Sequence, residues 1–229
     1  METTELLARL TQDLEPTKKA PSLAMRIGGW IVSMMLFAVV TVLVLGTRAD
    51  IHSIMFTPRF IVESVAILIA GITAGVLALI LSSPGKRTRE SILTALGASV
   101  VWLISIGIAF FLQLPDSPLS DGLNSMGLMC SKKIIVLSVI PALLLTALLR
   151  LGTAIAGRIA GTFLLISSGL IGMFLLQMRC SMDHTVHLML YHLLPVVALG
   201  VLGWCLGGYL CGFEARLKKK KEEILGTSD

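Results

Sequence analysis

The sequence has 229 residues, 55% of them hydrophobic and only 14% charged, with 19 Lys and Arg against 14 Asp and Glu and a net charge of +5. A water-soluble domain carries roughly 25% charged residues, so at a mean hydropathy of +0.88 a soluble globular protein is excluded, and direct nucleic-acid binding has no support beyond the charge. The apolar residues fall in runs of about 20, the length that crosses about 30 Å of hydrocarbon as a helix satisfying its own backbone, and not in the alternating segments of about ten residues that build a barrel.

The expected fold is all-α: a polytopic six-transmembrane-helix bundle preceded by a short cytoplasmic amphipathic helix. That helix is METTELLARLTQDLEP, with Thr3 or Thr4 at its cap and Pro16 at its end. Leu6, Leu7, Leu10 and Leu14 form one apolar stripe. An isolated helix of about 12 residues is marginal in water, so the stripe needs a cover: the membrane surface, the chain's own loops or another protein's groove. Its mixed charge suits anionic lipid poorly. Residues 1–22 therefore read as a docking segment, 23–212 as the membrane domain and 213–229 as a basic cytoplasmic tail.

The spans are expected at 27–46, 60–81, 91–112, 134–149, 159–177 and 189–210. The first reads as a retained anchor, being too long for a signal-peptide core. At the start of the second, Arg59 and Glu63 stand four apart, the spacing of a local ion pair. Cys130 is expected in the loop before the fourth and shortest span, whose entry carries Lys132 and Lys133 with stems able to snorkel. Cys180 is expected in the connection QMRCSMDHTVH between the fifth and sixth spans. In the sixth, His192 and Pro195 follow one turn inside; a histidine there is either a functional group or a neutral imidazole bonded to a neighbouring helix. Cys205 and Cys211 read as small apolar residues. Glycines four apart (71/75, 157/161, 203/207, 208/212) suit close helix packing and leave a homo-oligomer open. The tail RLKKKKEE suits anionic membrane lipid, at about 1 kcal/mol per charge.

Lys and Arg sort by side: fourteen lie on the side of both termini and five on the other. The positive-inside rule then puts both termini in the cytoplasm and Cys130 and Cys180 outside, where disulfides persist. The two cysteines can form a disulfide, structural or regulatory, or stay separate thiols. Alternatively, Cys180, His184 and His187, at spacings of four and three, can share the face of a helical turn and bind a soft metal, with Cys130 as a further ligand. No nucleotide, hydrolase or metalloprotease motif is present, so no enzyme, resident cofactor or small-molecule substrate is expected, only a transient metal ion. A small membrane transporter or a membrane thiol oxidoreductase is the alternative.

The order of these elements resembles the NrsF-type multi-spanning anti-sigma factors of proteobacteria. The likeness runs through LLARLTQDLEPTKK, GTRAD with Asp50, PRFIVES with Glu63, SSPGKR, Cys130 followed by Pro141, and RCSMDHTVHLMLYHLLPV with Cys180, Asp183, His192 and Pro195. Lys132, Lys133 and the polylysine tail depart from the pattern. The resemblance implies a regulator in the bacterial inner membrane. It would hold an extracytoplasmic-function (ECF) sigma factor through Leu6, Leu7, Leu10 and Leu14, and release it when Cys130 and Cys180 meet heavy-metal or oxidative stress.

Overall fold

The computed structural model describes residues 21–83, 126–152 and 157–212, with eight scattered positions between 93 and 108. The expected N-terminal helix, residues 84–87 of the SSPGKR turn and the basic tail lie outside the described residues, and so does most of the expected third span. Within that span Leu93, Leu96, Val100, Leu103, Ile104 and Ile108 are helical and exposed.

The elements are α1 (Leu23–Leu45), the single turn α2 (Ile51–Ile54), α3 (Pro58–Leu81), α4 (Met126–Arg150), α5 (Gly157–Gln177) and α6 (Thr185–Leu210). Five of these, all but α2, are long and apolar enough to cross a membrane, and they mark the chain as a membrane protein. Sequence and geometry agree at the helix starts. The Ser22 hydroxyl accepts the Met25 N–H at 3.2 Å. Thr57 accepts from Phe60 ahead of Pro58, whose missing N–H costs nothing at a first turn. Gly46 stops α1 at φ 72°, a left-handed conformation that glycine adopts freely.

The helix α5 is the central post. Within its membrane-length window 72% is buried, against 17% for α1, and α3, α4 and α6 all pack on it. Glycines make these contacts close. A Cβ on Gly161 would overlap the Gly207 backbone, and one on Gly157 would lie 3.1 Å from Gly208 Cα. The expected glycine pairs of α5 and α6 thus meet each other within one chain. On the opposite face of α5 the Ser167 hydroxyl donates to Gly71 O at 2.6 Å. On α1, Val32, Met35, Leu36, Val39, Leu43 and Val44 are exposed, as a lipid-facing surface would be.

Three expectations change. The fourth helix begins at Met126, not 134, so it is no longer the shortest and Cys130 lies inside it, not in a loop. Lysine is a good helix former, and Lys132 and Lys133 point outward without interrupting the helix. Arg26, one residue ahead of the expected first span, is a buried residue of the first turn of α1, and its guanidinium donates to Ser82 and Ser83 at 3.0 and 2.5 Å. The last helix starts at Thr185 and changes register over Leu188–Leu193, where it is a π-helix.

Candidate functional site

The starts of α3, α4 and α6 and the ends of α1 and α5 gather at one end of the bundle. A frame of ion pairs organises this end. Arg48, just past α1, is buried, and its guanidinium forks to both carboxylate oxygens of Asp50 at 2.6 and 2.7 Å and both of Asp183 at 2.8 and 2.9 Å. It also donates to the carbonyl of Cys180 at 2.7 Å, while its own N–H bonds Met178 O at 3.0 Å. The hydrogen bonds it donates to Asp50 and then Asp183 raise the Arg48 pKa above its ordinary value. The same bond holds the Asp50 carboxyl below the ordinary carboxylate range. Arg59 pairs with Glu63 at 2.9 Å, as its spacing predicts, and reaches Asp183 O at 2.8 Å. Glu63 also accepts from Gln177 at 3.4 Å. These bonds fix the α5–α6 connection, and with it Cys180, against α1 and α3.

Inside this frame four side chains converge. Cys130 Sγ lies 3.8 Å from Cys180 Sγ. Cys180 Sγ lies 3.8 Å from His187 Nε2. One ligand atom from each of Cys130, Cys180, His187 and His192 falls within 4.8 Å of every other. His184 does not join them; it is exposed and ends the irregular stretch ahead of α6. The helical turn that would align it with Cys180 is absent, because residues 180–184 are not helical.

His192 is brought in by the register change. Residues five apart in an α-helix differ by about 140° around the axis at 3.6 residues per turn. A π turn, with its i→i+5 bond, returns them to nearly the same face. Here Leu194 N–H bonds Met189 O, five residues back. The sequence cause is Pro195, which has no N–H for the carbonyl of Tyr191 four residues before it. Ser131 on α4 supplies the missing donor, its hydroxyl bonding Tyr191 O at 2.9 Å. Gly127, one turn earlier on α4, leaves room for the Tyr191 ring; a Cβ there would overlap it. The His187 and His192 rings then stand 5.3 Å apart at 66°.

The electrostatics of the centre are unbalanced. His187 is 1% exposed and His192 fully buried, yet His187 Nδ1 and both nitrogens of His192 lack hydrogen-bond partners. The expected bond from His192 to a neighbouring helix is not formed. Each buried polar atom left this way costs about 1–3 kcal/mol. The two thiols can give up two electrons and two protons to an oxidant and form a disulfide, or give up the protons alone and, with the two neutral imidazoles, take a soft cation.

Cys130, Cys180, His187, His192, Glu63 and Pro195 all belong to this end of the molecule. The roles of Arg48, Ser131 and Gly127 have no spacing signature. His192 three residues before Pro195 is the one local signal of a shifted register. Cys205 is exposed on α6, and Cys211 is buried at the other end with its Sγ 3.6 Å from Gly157 O.

A family model described as negative regulator of sigma F matches residues 10–212. No curated protein and no solved structure matches the chain.

Proposed function

The chain belongs to the NrsF family of negative regulators of sigma F, and from that premise we propose that it is an inner-membrane anti-sigma factor whose sulfur pair gates its hold on an ECF sigma factor. Residues 1–22 are the docking segment, with Leu6, Leu7, Leu10 and Leu14 as the face that seats in the sigma factor. Residues 23–212 are the membrane domain, and the tail 213–229 lies against anionic lipid. Both termini face the cytoplasm, and Cys130 and Cys180 face the periplasm. The role is regulatory and not enzymatic.

The observation that carries this reading is the Cys130–Cys180 pair, 3.8 Å apart although 50 residues separate them in sequence. One sulfur rides on α4 and the other on the connection pinned by Arg48. Oxidation takes two electrons and two protons from the thiols and forms one S–S bond, a peroxide being reduced to two waters. Metal capture takes the two protons alone. Either event draws the start of α4 toward the α5–α6 connection, and the helices carry the displacement to the opposite membrane face. To pass from about 99% held to about 1% held, the two states must differ by roughly 5.5 kcal/mol in affinity.

The test is capture of the cognate sigma factor by the full-length protein in membranes. Wild type retains it and the Leu6→Asp/Leu10→Asp variant, present at the same level, does not. Equal retention by both would contradict the assignment of the docking face.

A further inference from the structure

We propose that Cys130, Cys180, His187 and His192 form a tetrahedral binding site for a thiophilic divalent cation of the zinc and cadmium class, with His184 taking no part. The proposal deepens the preceding reading by naming the ligand and the full donor set for the sulfur pair.

The geometry is the first argument. A tetrahedral ion with metal–sulfur bonds of about 2.3 Å holds two sulfurs about 3.8 Å apart; the Cys130 and Cys180 sulfurs stand at 3.8 Å. With metal–nitrogen bonds of about 2.0–2.1 Å the sulfur-to-nitrogen edge comes to about 3.5 Å, and Cys180 Sγ to His187 Nε2 is 3.8 Å. All four ligand atoms lie within 4.8 Å of one another.

Unsatisfied groups supply an independent argument. His192 is fully buried with neither ring nitrogen partnered, and His187 Nδ1 is also alone. A cation would occupy one nitrogen of His192 and repay part of that deficit, with His187 binding through the Nε2 that faces Cys180. The chain also spends structure on placing these rings. The π turn brings His192 beside His187, and Ser131 and Gly127 of α4 accommodate that turn. A histidine wanted only as filler needs none of this.

Charge selects the ion. Binding releases the two thiol protons to water, and two thiolates with a divalent cation and two neutral imidazoles sum to zero. That neutrality suits a centre packed among Ile134, Leu170, Met173 and Val196. A monovalent ion would leave a net negative charge there. Mixed sulfur and nitrogen donors in a tetrahedron exclude magnesium and calcium, which want oxygen.

The experiment uses full-length protein in detergent, purified without a histidine tag, reduced and stripped with chelator. Cobalt(II) is titrated in, then displaced by cadmium. The expected result is one cobalt per chain with the intense visible bands of a tetrahedral thiolate site, bleached by cadmium. His192→Ala should weaken binding by more than the ~10–100-fold typical of losing an outer-shell partner, and Cys180→Ser likewise, while His184→Ala should leave it unchanged. Protection of Cys130 and Cys180 from maleimide by cadmium gives a second readout, made alongside retention of native helical circular dichroism in each variant. Absence of the bands in folded wild type, or their survival in folded His192→Ala, would overturn the site. Metal binding without release of the sigma factor would uphold the site and defeat the sensing role. Release by peroxide with no metal binding would do the reverse.

Discussion

The two ends of the bundle are built on opposite plans. At the Gly157–Cys211 end, glycine backbones of α5 and α6 touch, Arg150 donates to Leu210 O at 3.0 Å, and the helices cannot move apart without losing close contact. At the Cys130–Cys180 end, α4 meets the α5–α6 connection through a sulfur pair, beside His187 Nδ1 and both nitrogens of His192, which lack partners, inside a ring of ion pairs. One end is closed by backbone contact; the other gathers histidine nitrogens that have no hydrogen-bond partner. On the proposed function, a bond or a metal formed at the sulfur pair would shift the start of α4, while the close seam holds α5 against α6.

The seam is the place to break the contrast with the largest effect. Gly161→Leu would drive a side chain into the Gly207 backbone, and we expect a loss above about 3 kcal/mol, beyond ordinary overpacking, read as a collapse of thermal stability in detergent. Arg48→Met attacks the frame instead. Its cost should be nearer 2 kcal/mol, below the ~3–5 kcal/mol of a fully buried pair, because the Asp50 and Asp183 side chains are 46% and 53% exposed and water screens them. Its signature is faster maleimide labelling of Cys180, whose carbonyl that guanidinium holds.

Ser131→Ala sharpens the comparison at the open end alone. It removes one hydroxyl from Tyr191 O and should cost about 1 kcal/mol, together with a measurable weakening of cobalt binding as the π turn loosens. The smallest effect is that of pH. Arg48 holds the Asp50 carboxyl low, so the contribution of this pair is complete above the ordinary carboxylate value and is lost only as pH falls through the depressed one. Thermal stability should therefore be flat through neutral pH and fall only in acid, and that acid loss should be smaller in Arg48→Met.

Much of the architecture is legible from residue order. The apolar runs locate α3 and α5 within a few residues, because lipid admits few alternatives to a helix of that length. The start of α4 was hidden by Lys132 and Lys133, whose outward direction on a helix no hydropathy count reports. The cysteines could be named as a pair, but their proximity depends on the way Arg48 pins the α5–α6 connection, a contact across 135 residues. Taking His184 for a ligand rested on a helical turn that the chain does not form there. His192 was visible as a polar group in a span; its partnership with His187 follows from a backbone register that Pro195 permits and Ser131 completes.

The central claim is that the sulfur pair governs the hold on the sigma factor, and it is tested most directly by loading membranes with the full-length protein and its sigma factor, adding peroxide, and measuring the fraction of sigma factor that stays membrane-bound. Wild type should release it, and Cys130→Ser/Cys180→Ser should keep it throughout. Release from the double-serine protein at the wild-type rate would contradict the account.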